Sequence, residues 1–317
     1  MEHLREFKEE EADESPVVKR SPDSLQVFTI DELMSATSNF SEENLLGEGL
    51  YGTIYKGTVD GKHMGAITKF TCANWPVGSF ICVIDQPALE YLETMRHPHL
   101  VRLLGYCDQG EHNILIHEYM PRGSLKYHLL ETNLIGSLPW LTRLNIAVGA
   151  AKGLSVLHES RKQMMFYTRF TASSILLASD YTAKLWGFGL AMENDLTVSD
   201  GKTREVYEFG VVLLELLAGR PCLDEKRHDR KRNLVEWFQR YVFGTEPGQS
   251  DFHDVCLKHI MDPSLEWRYS VHAACRTAEI AGRCLGRVLE DRPSMQDVVQ
   301  ALEPLLNDDM NDGPAIR

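Results

Sequence analysis

The 317-residue chain is 43% hydrophobic, 25% charged and 9% aromatic, enough apolar material to bury a sizeable core, which excludes wholesale disorder. Its net charge of −13 argues against nucleic acid or an anionic membrane surface as the default partner. Seven cysteines, at 72, 82, 107, 222, 256, 275 and 284, are scattered through apolar segments and read as reduced, buried thiols rather than a disulfide framework. The opening MEHLREFKEEEADES is acid-rich and lacks an apolar core, position 2 is Glu2 rather than glycine, and no apolar run reaches membrane-spanning length. The expectation is an intracellular protein without a transmembrane segment.

Residues 1–27 are charge-dense and carry Pro16 and Pro22, which predicts an acidic flexible tail. Structure is expected from Phe28. Thr29 and Glu32 have capping-box spacing ahead of a helical face of Ile30, Leu33 and Ala36. Leu45 to Val59 alternates around clustered glycines and predicts two strands joined by a tight turn; Met64 to Phe70 predicts a third. Ala88 to Met95 reads as a short helix ended by His97-Pro98, with strands at Leu100–Leu104 and Asn113–Tyr119. Beyond Met120-Pro121 the period changes to helical. Leu144, Ala147, Ala151 and Leu154 step along one helix through His158, Val206–Leu217 reads as a helix buried on nearly every side, and Val271–Leu285 and Met295–Leu306 read as two more. A small strand-rich lobe of residues 28–120 ahead of a larger helical lobe of 121–306, with a cleft near Tyr119–Gly123 and an acidic tail at 307–317, is the resulting α+β architecture.

Gly47-Glu48-Gly49-Leu50-Tyr51-Gly52, then Ile54 and Tyr55-Lys56-Gly57, resembles the glycine-rich phosphate loop of the plant receptor-like kinases. Glycines there let backbone N–H groups approach phosphate oxygens without a side chain in the way. Arg96-His97-Pro98-His99-Leu100-Val101, Glu118-Tyr119-Met120-Pro121-Arg122-Gly123-Ser124-Leu125, Phe209-Gly210-Val211-Val212-Leu213-Leu214-Glu215 and Asp291-Arg292-Pro293-Ser294-Met295 continue the resemblance in order. It covers Phe28 to Leu306 and implies the bilobal protein-kinase fold of the receptor-like cytoplasmic kinases.

The same resemblance marks departures. Its run of Asp, any residue, Lys, any residue, then Ser-Asn-Ile-Leu-Leu corresponds without a gap to Arg169-Phe170-Thr171-Ala172-Ser173-Ser174-Ile175-Leu176-Leu177. Arg169 thus stands at the catalytic aspartate, Thr171 at the phosphate-contacting lysine and Ser174 at the metal-binding asparagine. Gly187, in Trp186-Gly187-Phe188-Gly189, stands at the magnesium-binding aspartate, and a glycine offers no oxygen to a hard cation. With Ala66 as the adenine-facing alanine, Thr68 takes the place of the strand lysine and Lys69 points to the opposite face, unless a bulge turns it inward. The lysine's usual acidic partner falls at Ala88, with Glu90 nearby. Met192–Glu205 is too short for an activation segment and contains no Ala-Pro-Glu, so Arg292 is expected to find another acid or solvent.

Phosphoryl transfer depends on positioned acids and metal ions, and their joint loss predicts a catalytically inactive kinase homologue acting as scaffold, decoy or allosteric partner. Three rivals are residual phosphotransfer using Lys69 and an unassigned acid, nucleotide sensing without catalysis, and a decayed gene product with no selected role. No cofactor is required on this reading. A nucleotide cleft of Gly47, Gly49, Gly52, Ala66, Thr68, Lys69, Glu118 and Met120 offers at most weak, magnesium-independent ATP binding. The implied partners are active receptor-like kinases or their substrates, in the cytoplasm or at the plasma membrane through a partner. Cys256, His259, His272 and Cys275 have zinc-like spacing, though packed-helix residues are the simpler account. The basic cluster Lys226–Arg232 and the acidic run Glu9–Glu14 read as solvated segments.

Overall fold

The computed structural model describes residues 25–49, 52–59, 61–70, 86–109, 112–130, 137–160, 169–188, 198–224, 232–244 and 259–311. The acidic run Glu9–Glu14, residues 226–231 of the basic cluster, Cys72, Cys82 and Cys256 lie outside them.

Six strands form the first lobe: β1 (Gln26–Val27), β2 (Leu45–Gly49), β3 (Gly52–Val59), β4 (His63–Phe70), β5 (Leu103–Gln109) and β6 (His112–Glu118). Their order is β1-β5-β6-β4-β3-β2, antiparallel except where β1 runs parallel to β5. The sheet therefore begins at Gln26, two residues ahead of Phe28. Helix α1 (Ile30–Ala36) starts on the capping box read from the sequence: Thr29 Oγ1 accepts from Glu32 N, and Glu32 Oε2 accepts from Thr29 N at 2.7 Å. It covers the outer face of the sheet, where Leu33, Val59, Ile67, Cys107, Ile114 and Ile116 pack with Phe28. At the β2–β3 turn, Gly52 has φ 149°, and a Cβ there would lie 2.1 Å from Lys69 O, so only glycine fits.

Leu100–Leu104 is not a separate strand. After the His97-Pro98 turn the chain crosses toward the second lobe, where Val101 N donates to Leu185 O at 2.9 Å, and regular pairing begins only at Leu103. Helix α2 spans Gln86–Thr94. The second lobe comprises α3 (Leu125–Leu130), α4 (Trp140–Glu159), the hairpin β7 (Ile175–Leu177) and β8 (Ala183–Leu185), α5 (Val198–Ala218), α6 (Leu234–Gly244), α7 (Val271–Cys284), α8 (Met295–Leu302) and α9 (Leu305–Asn311). Two boundaries depart from the sequence reading. The predicted Val206–Leu217 helix begins at Val198, so Val198–Glu205 is helical. The predicted Met295–Leu306 helix divides at Pro304, which lacks the N–H that a continuing helix needs.

One buried ion pair ties this lobe together. Arg143 on α4 is 1% exposed; it donates to Leu138 O and Leu216 O, both at 2.8 Å, to Ser137 Oγ at 2.6 Å, and to Asp262. Burial pushes the Asp262 carboxyl upward, but hydrogen bonds from Arg143 and Ser264 outweigh it and hold the carboxyl below its ordinary value. Removing one partner strands the other charge in the core. Asp262→Ala is expected to cost about 3–5 kcal/mol in denaturant unfolding, and the paired change Arg143→Met with Asp262→Leu far less. Equal losses in the two would show that the pair is not the unit.

Candidate active-site cleft

The ladder between β3, β4 and β6 decides which side chains meet the cleft. Lys56 pairs with Ala66, Ile54 with Thr68, Ala66 with His117, and Thr68 with Leu115, and the β3–β4 and β4–β6 pairings run without a register shift. Directly opposed residues share a face and alternate residues change face. Ala66, Thr68, Leu115 and His117 therefore line the inner face.

Lys69 lies on the other side. Its Nζ sits 4.9 Å from the centroid of the Phe40 ring, itself edge-on to Tyr55 at 5.3 Å. Strand regularity leaves no bulge to turn it inward, so the structure does not bring Lys69 together with the other cleft candidates. Glu90 is exposed on α2, and the side chain of Ala88 lies outside the described set. Gly47, Gly49 and Gly52 stand at the β2–β3 end of the sheet. At the hinge, Glu118 Oε1 accepts from Arg102 N and from Lys184 Nζ, each at 2.8 Å, while Met120 O accepts from Gly123 N at 3.1 Å. Lys56 Nζ lies 5.4 Å from the Tyr119 ring.

The inner end of the cleft was not legible from the motifs. His117 is 8% exposed and Thr68 is 1% exposed, and neither Thr68 Oγ1 nor His117 Nδ1 has a hydrogen-bond partner. Trp186, immediately before Gly187, meets the His117 ring edge-on at 6.3 Å. Burial depresses the His117 imidazole to about 4, so it is neutral at physiological pH.

The loop that carries Arg169 is built from its own capping bonds. Thr171 Oγ1 accepts from Ser173 N, and Ser174 Oγ accepts from Thr171 N, both at 3.3 Å. Ser174 is thus buried and engaged, and Gly187 takes φ 85°, a conformation that favours glycine. These donors do not fit a hard divalent cation, which wants several carboxylate or carbonyl oxygens. Among the described residues no group of three His, Cys, Asp or Glu converges to hold a metal. The zinc-like spacing separates on α7: Cys275 is in the core, while His272 is on the surface, 3.2 Å from Asp308.

Arg169 is exposed and Phe170 buried, with the Phe170 ring 6.4 Å from Phe209. An acid that sequence reasoning did not assign reaches this loop from α5. Glu208 Oε2 accepts from Phe170 N at 2.8 Å, and burial, more than offsetting that bond and the nearby Arg204 and Arg169, raises its carboxyl to about 7. One turn earlier, Glu205 Oε2 lies 2.7 Å from His158 Nε2. Among the described residues Arg292 finds no new acid and stays half-buried: it donates to Gly286 O at 2.9 Å and Thr203 O at 3.0 Å, with its guanidinium 4.9 Å from the Tyr207 ring. Carbonyl dipoles and a ring face take the place of a carboxylate. A cavity of about 460 Å³ opens beside it, between His158, Lys202 and Ser294.

Residues 40–205 match the family model described as protein tyrosine and serine/threonine kinase. The chain belongs to that kinase family. It is 40% identical to an EPD1-interacting receptor-like cytoplasmic serine/threonine-protein kinase of Nicotiana benthamiana, over 89% of this chain and 64% of that protein. A Gossypium barbadense relative of the same description, 5A, is also 40% identical, over 90% and 65%. The probable serine/threonine-protein kinase PBL9 of Arabidopsis thaliana is 37% identical, over 90% and 74%. The chain spans slightly less than two thirds of the length of the first two. The strand-rich first lobe and helical second lobe are the bilobal kinase fold, and no helix among the described residues is long and apolar enough to cross a membrane.

These relatives overturn the expectation of an inactive homologue and of a protein that is not an enzyme, because all three are named as serine/threonine-protein kinases. The physical reason lies in how that expectation was built. Substitutions at Arg169, Thr171, Ser174 and Gly187 say which side chains do not perform the chemistry. They do not say which groups other elements bring to the loop, and Glu208 is such a group.

The neutral His117 yields a pH test with a definite sign. Its folded value of about 4 lies below its ordinary 6.5, so the unfolded chain binds the proton more readily between them. Its contribution is intact above about pH 6.5 and is lost as pH falls toward 4, amounting to about 2 kcal/mol between pH 7 and 5. His117→Phe is expected to remove that part of the acid sensitivity in thermal unfolding. Parallel pH curves for the two proteins would place His117 in water.

Proposed function

We propose that this chain is an atypical serine/threonine protein kinase of the plant receptor-like cytoplasmic class, acting on protein partners in receptor-kinase signalling. The observation that carries the reading is 40% identity, over about nine tenths of the chain, to proteins named as kinases of that class. A cytoplasmic location and contact with receptor kinases or their substrates follow from the same relatives, as part of the proposal.

The chemistry proposed uses the groups this chain has. A substrate hydroxyl oxygen bonds the γ-phosphorus of ATP, the bond from that phosphorus to the bridging oxygen breaks, and ADP leaves. The hydroxyl proton passes to the Glu208 carboxylate, whose value of about 7 matches the operating pH, where a general base works best. Exposed Arg169 supplies a cation for the phosphates where Thr68 has replaced a lysine. Because the donors at 174 and 187 do not fit magnesium, ATP binding is proposed to be weak and independent of it.

Transfer of labelled γ-phosphate to a generic serine/threonine protein substrate tests this, with and without a chelator. Transfer is expected above a no-protein blank and to rise as pH passes through about 7, since the base must be ionised. Glu208→Gln is expected to lower it by about 10²-fold and flatten the pH profile. Arg169→Ala should raise the KM for ATP, and Lys69→Met, on the far face of the sheet, should leave transfer within about twofold. No transfer by the unmodified chain at any pH between about 6 and 9 would sink the proposal.

A further inference from the structure

We infer that the cavity beside Arg292 is a docking site for a single carboxylate, borne on a peptide segment of a protein partner. It lies in the second lobe, away from the cleft, and does not depend on the phosphotransfer reading. About 460 Å³ opens between the end of α4, the start of α5 and residues 289–294 ahead of α8, a volume in the range of ligand sites.

Two half-buried cations line this cavity, Lys202 on α5 and Arg292 in the turn, and among the described residues neither has an acid at ion-pair distance. Arg292 commits Nε to Gly286 O and Nη1 to Thr203 O, and Tyr207 covers a face of the guanidinium. Those carbonyl dipoles hold the side chain in place but carry no net charge, and Nη2 is left without a hydrogen bond among the described residues. Burial lowers this guanidinium from its ordinary value, the direction expected of a cation short of a counter-charge. A carboxylate here gains charge-assisted hydrogen bonds in a setting that salt screens weakly.

The other charges set which anion is taken. Glu159 and Glu290 also line the cavity, but both are exposed, and neither pairs with Lys202 or Arg292. From the rim they repel a phosphate dianion about twice as strongly as a monovalent carboxylate, and they attract a basic residue beside it. His158 lines the wall too, with its Nε2 already on Glu205 Oε2 at 2.7 Å. Leu289 lines the mouth and is exposed together with Val288, an apolar lip that a peptide covers and a free anion does not. The occupant is therefore a glutamate or aspartate side chain with basic neighbours in its own chain.

Fluorescence anisotropy with the labelled, end-capped peptide lysine-alanine-glutamate-alanine-lysine tests the site on the full chain, without nucleotide. Saturable binding is expected. Glutamine in place of the peptide's glutamate should weaken it by more than about tenfold, and phosphoserine there should bind less well than glutamate. Lys202→Met, which keeps the stem and the helix, and Arg292→Lys, which keeps the charge but loses the planar fork, should each weaken binding by about 3–10-fold. Glu290→Gln should leave the glutamate peptide within about threefold and narrow its advantage over the phosphoserine peptide. No saturation below about 1 mM, equal binding of the glutamine peptide, or tighter binding of the phosphoserine peptide would overturn the inference. So would affinity unmoved in both Lys202→Met and Arg292→Lys, or acetate displacing the peptide at the peptide's own concentration, the mark of a small-anion site. Peptide binding with no phosphate transfer sinks the kinase proposal alone; transfer with no peptide binding sinks this one alone.

Discussion

The register of the β3–β4–β6 ladder is the constraint on which the site depends. A strand offers only two faces, and a slip of one residue would exchange every side chain between them. The outer face is fixed by Ile67, Ile114 and Ile116 packing beneath α1, so the inner face is fixed as well. Thr68 and His117 are turned inward for the same reason that Lys69 is turned outward. The hydrophobic layer, rather than any polar contact in the cleft, sets the chemistry that the cleft presents.

The second lobe supplies acids to a loop whose own residues 169–174 carry none. Helix α5 carries two acids one turn apart: Glu205 engages His158, and Glu208 reaches the backbone at Phe170. Their spacing puts both on the side of the helix that meets α4 and the loop. Near the end of the same helix, the carbonyls of Leu216 and Leu217 meet Arg143 and the Asp262 backbone. A single long helix thus joins the loop at one end to the buried ion pair at the other. Arg292 follows a similar logic, since backbone carbonyls and a tyrosine face can hold a guanidinium without a carboxylate.

The corrected expectation of inactivity shows the limit of arguing from absent residues. A motif reports what one stretch of chain contributes at fixed offsets. A folded site also collects groups from elements distant in sequence, and Glu208 stands 38 residues from the Phe170 amide it meets. Its raised value arises from burial, which no count of charges along the chain contains.

Periodicity and turn chemistry determined the lobes, the capping box at Thr29 and Glu32, and the glycine at position 52, because these depend on residues close in sequence. That Arg169, Ser174 and Gly187 stand at the positions of the catalytic and metal-binding residues came from the resemblance to the kinase motifs, not from periodicity. The strand at Leu100–Leu104 was misplaced because its hydrogen bonds go to Leu185 in the other lobe, a partner that local pattern cannot name. Only the tertiary structure decided that Thr68 and His117 stand unpaired on one wall, that Trp186 meets the His117 ring edge-on, and that Glu208 backs the loop. Each of those facts is a relation between strands or helices far apart in the chain, where burial and register, not residue type, set the outcome.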